Sequence, residues 1–179
     1  SAGHPTGTLA NGVQGYFLKK GLKIKVRPVN RLDKGTSGIT LFAKNAYAQE
    51  RLILKMKQNK VYKEYLGLIH GALTPLTGTI NLPIGRKAGS IMERIIDPYG
   101  DESITHYETL SVKKDFSLVR FILETGRTHQ IRVHSKAMGH PLVGDWLYSD
   151  IETSLIKRQA LHAFRLIFEH PIEAKKLSL

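Results

Sequence analysis

The segment of this chain best suited to chemistry places one carboxylate between two cations among turn residues. It runs from Val29 to Gly38, and Asp33 lies between Arg31 and Lys34. Nearby positive charge favours the ionised form of a carboxylate. An ionised carboxylate held on a loop can act as a nucleophile or as a base. For an isolated Arg-x-Asp, a surface ion pair in a turn would be the simpler interpretation.

A second polar segment, Gly-Arg-Thr-His-Gln-Ile-Arg-Val-His at residues 126–134, favours the chemical interpretation. We expect Thr128 to cap a helix here and Gly139 to end it. His129 and Arg132 are three residues apart, and Arg132 and Lys136 are four apart, so a helix places all three on one face. Such a cationic face could hold Asp33 through an Arg–carboxylate pair, which is often bidentate. A solvated helix face is the alternative.

Two tyrosines lie in a segment that reads as a strand. Strand alternation places Tyr62 and Tyr65 on opposite faces, so that one can pack in the core while the other faces a site. An aromatic ring beside a basic groove can stack on an unpaired base. A structural role for both tyrosines is equally open.

Other kinds of site find no support in the sequence. His129 and His134 are five residues apart, which puts them on different sides of a helix, and HExxH is absent, so we expect no metal site. No GxxxxGK[ST] or GxGxxG pattern indicates a nucleotide cofactor. The absence of GxSxG leaves serine hydrolysis unsupported.

The charge balance predicts a polyanionic partner. The 179 residues include 27 Lys and Arg against 15 Asp and Glu, which gives a net charge of +12. Such an excess in a folded domain indicates nucleic acid first. An anionic membrane surface is the alternative, but no basic amphipathic helix with bulky apolar anchors supports it.

Length and composition predict one globular domain over residues 1–179. Cysteine is absent, which excludes disulfides and thiolate metal sites and fits a reducing compartment, so we expect a cytoplasmic protein. No apolar run reaches about 18 residues, so no transmembrane helix is expected. Residues 1–5 lack a signal-peptide pattern.

The apolar pattern predicts an α+β fold, because helices and strands are mixed rather than regularly alternating. We expect helices at residues 8–18, with Thr8 as the cap, at 45–58, starting at Asn45, and at 128–138. Ala48, Leu52 and Met56 recur every four residues, which gives the second helix an apolar face. We expect strands at residues 39–43, 61–69, 79–84, 103–112, 116–124 and 159–168, with a hairpin turn at residues 113–115.

Together, several motifs resemble the RluA/RluD-type pseudouridine synthases. Each is weak alone, but they occur in the family's order and cover the chain from about His4 to Pro171. They are Arg31-Leu32-Asp33 with Thr36-Ser37-Gly38 and Phe42-Ala43-Lys44; Lys63-x-Tyr65 with Gly71; residues 126–134; Gly139-His140-Pro141 with Gly144-Asp145-x-Leu147-Tyr148; and Gln159-Ala160-Leu161-His162-Ala163.

The resemblance implies a pseudouridine synthase fold: a mixed, mostly antiparallel sheet with flanking helices and a central basic cleft. It implies that uridine within RNA is isomerised to pseudouridine without a cofactor or a metal. The expected substrate is bacterial large-subunit ribosomal RNA. Transfer RNA, or a non-catalytic RNA-binding or RNA-folding module, is the alternative.

The resemblance also implies roles for matched positions. Asp33 falls on the essential aspartate, which either attacks ribose C1′, as a glycosidase carboxylate attacks an anomeric carbon, or assists elimination to a glycal. Tyr65 falls on the tyrosine that stacks on the uracil and assists proton removal, and Arg132 on the arginine that pairs with the aspartate. Arg31 falls on the arginine that enters the RNA stack where the uridine is flipped out. The remaining expected site residues are two RNA contacts, Arg127 and His129, and two pocket walls, Ile131 and Leu161.

Two features depart from the family's pattern. The residue before Arg31 is commonly His and is Asn30 here, which we expect to alter how the loop is held without abolishing activity. We expect this chain to be a fragment, or a sequence that starts late, without the strand that usually precedes the His4-Pro5 segment and without a small S4-type RNA-binding domain. A missing edge strand leaves unpaired backbone groups.

Overall fold

The computed structural model describes residues 5–179, and these form the expected α+β arrangement. Residues 1–4, which include His4 and most of the segment inspected for a signal peptide, lie outside the described residues. The described helices are α1 (Leu9–Lys19), α2 (Ala46–Lys57) and α3 (Gln130–Ala137). The described strands are β1 (Arg27–Pro28), β2 (Ser37–Gly38), β3 (Phe42–Ala43), β4 (Tyr62–His70), β5 (Thr77–Asn81), β6 (Ile84–Arg86), β7 (Arg94–Ile96), β8 (Ile104–Lys113), β9 (Phe116–Leu123), β10 (Leu161–Glu169) and β11 (Lys176–Ser178).

A seven-stranded, mostly antiparallel sheet carries the larger part of the fold. Its strand order is β11-β10-β4-β9-β8-β5, and β2 joins β10 as the parallel partner. The β8–β9 hairpin forms as expected, around a turn at residues 114–115. Because the sheet brings residues distant in sequence side by side, it can gather the motifs of the chain at one place.

One face of this sheet builds the main hydrophobic core. Alternate residues of β4 and β9 point inward, and Ile69, Val119 and Phe121 are almost completely buried. Ile131 from α3 packs into the same cluster. In β9 the odd-numbered residues Ser117 to Leu123 are buried and the even-numbered ones are not, whereas in β10 a bulge between Ala163 and Arg165 shifts burial from odd to even numbers.

The chain divides into two compact units. Among the described residues, the first comprises residues 5–31, 40–60 and 169–176, and the second comprises residues 32–39, 61–168 and 177–179. In the first unit, Thr8 caps α1 and Asn45 caps α2 by accepting backbone N–H hydrogen bonds, as expected. The assignment of one domain over residues 1–179, without a first strand or an S4-type domain, stays a prediction, as does the basic cleft.

Asn30, the departure from the family's usual His, holds its loop within the first unit. Its Oδ1 atom accepts a hydrogen bond from Leu41 N at 2.7 Å, beside the short β1–β3 ladder. The amide side chain therefore takes part in the local hydrogen bonding, and the expectation that Asn30 alters how this loop is held stays a prediction.

Three expectations about local structure are wrong. The strand expected at residues 79–84 is interrupted at Pro83, which has no N–H to donate to a ladder. The strand expected at residues 39–43 is reduced to Phe42–Ala43, because its start pairs elsewhere: Ile39 N donates to Ala163 O. Thr128 does not cap α3, since the helix begins at Gln130 and its N-cap residue is His129.

Candidate active site

The Asp33 loop is held by its own turn and by Gln159, which precedes β10. Thr36 N donates to Asp33 O at 2.9 Å and closes a turn, while the buried Gln159 side chain donates to Lys34 O and to Thr36 Oγ1. Gly35 has φ +88°, and a Cβ there would lie 2.9 Å from Gln159 Oε1. The turn therefore requires glycine at this position, and the hydrogen bonds fix the backbone from which the Asp33 side chain extends.

Arg132 is the buried cation of the site, and its main partner is Asp145. The guanidinium donates from Nε and from Nη2 to the two carboxylate oxygens of Asp145, each at 2.7 Å, and both side chains are almost completely buried. The bidentate pair expected between Arg132 and Asp33 is therefore formed with Asp145. This fork fixes the plane of the guanidinium.

The remaining Arg132 nitrogen faces Asp33. Nη1 lies 3.8 Å from Asp33 Oδ2, at the long end of ion-pair distances. Within residues 5–179, the Asp33 carboxylate accepts no hydrogen bond, and a quarter of its side-chain surface is exposed. Its lone pairs are thus available to a substrate, and the positive charge of Arg132 lies beside them.

Burial and charge act in opposite directions on Arg132. Burial alone would lower the pKa of its guanidinium, but the hydrogen bonds and charge of Asp145, together with the charge of Asp33, outweigh burial and raise it. Arg132 is therefore a permanent cation, and two carboxylates share it.

Tyr65 stands on β4 with its ring against the main core. The ring packs on the cluster that contains Ile131 and Leu161, and Tyr62 lies on the other face of the strand, where its hydroxyl donates to Glu64. Burial, followed by the negative charge of Asp33, raises the pKa of Tyr65 to about 12. The phenol is therefore neutral near pH 7, and its ring lies within the electrostatic reach of Asp33.

The polar face of α3 closes around one aromatic ring. The Arg132 guanidinium lies 4.8 Å from the centroid of Tyr148 and the Lys136 ammonium 5.9 Å from it, while His129 meets the same ring edge-on. The shared face predicted for these three residues is confirmed, but it covers Tyr148 instead of lying open to solvent.

His129 occupies a strained position at the start of α3. Its φ is +59°, a left-handed conformation that non-glycine residues adopt rarely and that is found often at functional sites. Its Nδ1 atom lies 2.8 Å from the Tyr148 hydroxyl, which also accepts a hydrogen bond from Arg94 N. Burial lowers the pKa of His129, although Asp33 acts in the opposite direction. A neutral ring that accepts the Tyr148 proton fits these contacts.

The other expected site residues take different positions. Ile131 and Leu161 are core residues beneath Tyr65, with 3% and 5% of their surface exposed. Arg127 is exposed, and its Nε donates to Glu102 O. Arg31 is also exposed but belongs to the first unit, whereas the other residues belong to the second. The second unit thus brings Asp33, Tyr65 and Arg132 together.

The family model for RNA pseudouridylate synthase matches residues 4–137, three quarters of the chain. The chain belongs to this family. The uncharacterised RNA pseudouridine synthase YjbO of Bacillus subtilis is 41% identical, in an alignment that covers 97% of this chain and 61% of that protein. Ribosomal large subunit pseudouridine synthase D of Buchnera aphidicola is 38% identical, with 99% of this chain and 61% of that protein covered. The chain thus spans about three fifths of these relatives.

Solved pseudouridylate synthase structures agree with this family assignment. Human RNA pseudouridylate synthase domain containing 1 superposes with a TM-score of 0.76 at 30% identity, covering 86% of this chain and 67% of that one. Human RNA pseudouridylate synthase domain containing 4, at 23% identity, shares the fold with a TM-score of 0.74. The resemblance and the fold class expected from the sequence are therefore confirmed.

Within this pseudouridylate synthase fold, sequence reasoning missed three residues that build the site. Asp145 orients Arg132, Tyr148 links Arg132 to His129, and Gln159 holds the Asp33 turn. All three lie in motifs that carry the resemblance. A polar residue inside an apolar motif was the available signal, but its partner could not be known without the tertiary structure.

Two kinds of feature are absent from the described part of the chain: a cluster of metal-binding side chains and a helix that could cross a membrane. Residues 5–179 contain no group of three or more His, Asp or Glu side chains arranged to hold a metal ion. The expectation that the reaction needs neither a metal nor a cofactor stays a prediction. None of the helices in this range is both long enough and apolar enough to cross a membrane.

Stability should decrease in mild acid because α3 is anchored by a buried imidazole. His134 is fully buried between Thr105 Oγ1 and Leu82 O, and burial lowers its pKa. The unfolded chain, with a histidine pKa near 6.5, then binds a proton that the folded chain resists. We expect the free energy of unfolding to be constant above about pH 7 and to fall below pH 6.5.

Urea denaturation at pH 5.0, 6.0 and 7.5 measures this dependence. His70 and His129, whose pKa values burial also lowers, contribute with the same sign. The His134→Asn variant should be less stable at pH 7.5 and should lose less stability between pH 7.5 and pH 5.0. An unfolding free energy that does not fall between these pH values in the wild type would show that His134 does not titrate in this way.

Proposed function

We propose that this protein isomerises uridine to pseudouridine in RNA, with large-subunit ribosomal RNA as the substrate. The main support is the state of the Asp33 carboxylate, which accepts no hydrogen bond from residues 5–179. It lies 3.8 Å from the Arg132 guanidinium, which Asp145 holds in place. A carboxylate needed only for structure would be expected to accept hydrogen bonds. The geometry instead suits a group that acts on a substrate.

The proposed reaction exchanges one glycosidic bond for another. The bond between uracil N1 and ribose C1′ breaks, the base turns, and C5 bonds to C1′; the C5 proton is lost and N1 gains a proton, so the product is an isomer. Asp33 serves this either by attacking C1′ or by taking the C2′ proton to give a glycal. Both routes need the available oxygen lone pairs of Asp33, and the positive charge of Arg132 stabilises the carboxylate that is regenerated.

The target uridine must leave its stack to reach Asp33. We propose that its base lies against the ring of Tyr65, which Ile131 and Leu161 support from the core. Arg31 fills the gap in the RNA, and Arg127 and His129 contact the strand beside it. The net charge of +12 supports binding to the phosphate backbone.

The choice of ribosomal RNA is supported by relatives. Several of them, including one from Buchnera aphidicola and one from Vibrio parahaemolyticus, are named ribosomal large subunit pseudouridine synthase D. Transfer RNA remains the alternative substrate within the same chemistry, and a cytoplasmic location follows from either. A non-catalytic RNA-binding module is the alternative of another class.

Product formation on two RNAs tests this proposal. The protein is incubated with unmodified large-subunit ribosomal RNA and, separately, with a pool of unmodified transfer RNAs, and pseudouridine is quantified by mass spectrometry. We expect pseudouridine in ribosomal RNA. Pseudouridine only in transfer RNA would make transfer RNA the substrate. Tight binding of RNA without any pseudouridine would favour the non-catalytic module.

Tyr65 should act through its ring. Because the pKa of Tyr65 is about 12, roughly one phenol in 10⁵ is ionised at pH 7, and a phenolate base would be scarce. Tyr65→Phe should therefore keep single-turnover rates within about tenfold of wild type. Tyr65→Leu, which removes the stacking surface, should lose about 100-fold or more.

A pH profile separates these roles. A stacking ring predicts similar profiles for the wild type and Tyr65→Phe between pH 6 and pH 9. A rate that rises tenfold per pH unit in wild type and is abolished in Tyr65→Phe would instead make the phenolate the base.

A further inference from the structure

A cavity of about 560 Å³ opens in the second unit beside the residues that precede α3. It lies between the β6–β7 hairpin, the turn at residues 97–101 and the segment Gly126–Thr128. A volume of this size accommodates a nucleotide-sized group. Neither Asp33 nor Tyr65 lines it, whereas Arg127, one of the expected RNA contacts, does.

Three arginines line the cavity with unused donors. Arg86 is exposed, and its side chain makes no hydrogen bond or ion pair with residues 5–179. Arg94 donates from Nη1 to the carbonyls of Met92 and Glu93, and Arg127 uses only its Nε, toward Glu102 O. Since each guanidinium carries five N–H donors, most remain free for an anion.

An aromatic ring stands at the edge of the same cavity. Tyr99 is 98% exposed, yet its backbone is tied into a turn: Asp97 Oδ1 accepts from Tyr99 N at 3.0 Å, and Gly100 N donates to Asp97 O. Gly100 packs so closely on β6 that a Cβ there would lie 2.4 Å from the Ile84 carbonyl carbon. The turn therefore presents an almost fully exposed ring from a well-fixed backbone, which suits stacking on an unpaired base.

The charges favour a whole nucleotide over a free phosphate. Asp97 and Asp101 also line the cavity, so the three arginines leave it with a small positive excess. Carboxylates repel phosphate but accept hydrogen bonds from the amino groups of bases. Cations, carboxylates and an aromatic ring together match the phosphate, the edge and the face of one nucleotide.

The cavity is continuous with the residues around Arg132. Arg94 N donates to the Tyr148 hydroxyl, which contacts His129, and Thr128 and Arg127 on the cavity wall directly precede His129. An RNA strand whose uridine reaches Asp33 would pass this wall. We propose that the cavity binds one unpaired nucleotide next to the target uridine, with its base on Tyr99 and its phosphate on Arg86, Arg94 and Arg127. This inference rests on RNA being the substrate.

Affinity for a structured RNA tests the cavity independently of catalysis. The probe is a fluorescein-labelled fragment of large-subunit ribosomal RNA, and fluorescence anisotropy gives Kd from 50 to 200 mM KCl. Tyr99→Ala and Arg86→Ala should each raise Kd about tenfold, and Tyr99→Trp should bind within about twofold of wild type. Arg86→Ala should also lower the slope of log Kd against log salt by about 0.7, the share of one phosphate contact on a single strand.

Lys114→Ala is the matched control. It removes one exposed positive charge from the far turn of the β8–β9 hairpin, a strand length of about 30 Å from the cavity end. Its Kd should stay within about twofold of wild type. The proposal is overturned if Tyr99→Ala and Arg86→Ala bind as tightly as Lys114→Ala, or if Tyr99→Trp binds as weakly as Tyr99→Ala.

The two proposals fail in distinguishable ways. If the wild type binds RNA but forms no pseudouridine, the proposed function fails, while the Kd values of the variants still test whether the cavity binds RNA. If pseudouridine forms and the cavity variants bind normally, the cavity proposal fails alone.

Discussion

Asp33→Asn is expected to abolish pseudouridine formation, with a loss of about 10⁴-fold or more in single-turnover rate. An amide can neither attack C1′ nor take a proton from C2′, so both proposed routes stop. Folding should survive, because Asp33 is a quarter exposed and its ion pair with Arg132 spans 3.8 Å; an effect within about 1 kcal/mol is expected. RNA affinity should be unchanged or higher, since a negative charge is removed from a phosphate-binding surface.

Asp115→Asn is the matched control for this result. Asp115 is exposed in the far turn of the β8–β9 hairpin, so the same chemical change there should leave the rate within about twofold of wild type. Rate, anisotropy and urea denaturation are measured on all three proteins. Substantial activity in folded Asp33→Asn protein would remove Asp33 from the chemistry.

Asp145→Asn is expected to cause the second largest loss, about 100-fold or more in rate, with a stability cost of about 3 kcal/mol. The new amide carries no negative charge, and one of its two ends is an NH2 group that cannot accept a hydrogen bond from Arg132. The Arg132 side chain is 3% exposed and cannot turn to water. Breaking a buried pair by changing one partner typically costs 3–5 kcal/mol. Arg132 should then swing toward Asp33, which becomes less available to the substrate.

A structural role and a positioning role for Asp145 predict different data. Rates are compared at a temperature where urea curves show every variant to be more than 95% folded, and the Arg132→Lys variant is measured alongside. If Asp145 positions Arg132, folded Asp145→Asn protein stays slow. The Arg132→Lys variant is then also slow, because Lys cannot form the bidentate contact with Asp145. Near wild-type rates in the folded fraction would limit Asp145 to stability.

The elements that the sequence predicted well are those with local signals. Thr8 and Asn45 cap their helices because a side-chain oxygen reaches an N–H three residues ahead, and the spacing of Ala48 and Leu52 identifies the buried face of α2. The β8–β9 hairpin was predictable for the same reason, since its two strands are joined by a short polar turn. Local chemistry is sufficient in each case.

The prediction was incomplete where distant segments decide the outcome. The ion pair of Arg132 with Asp33 is present at 3.8 Å, but Asp145 takes the bidentate contact with the guanidinium, and only the fold shows which carboxylate lies in its plane. Likewise, Thr128 was a reasonable cap by type, yet Gln130 accepts from Arg127 N and Thr125 Oγ1, which draws the chain into a tighter turn and leaves His129 at the helix start. These contacts join residues whose pairing follows from the sheet.

The most direct test of the central proposal is pseudouridine mapping of ribosomal and transfer RNA from cells that lack this protein, rescued with wild type or with Asp33→Asn. We predict that one or more positions in large-subunit ribosomal RNA lose pseudouridine on deletion and regain it only with wild type. Rescue by Asp33→Asn would contradict the assigned role of Asp33, and an unchanged map in both RNA pools would contradict the proposed function.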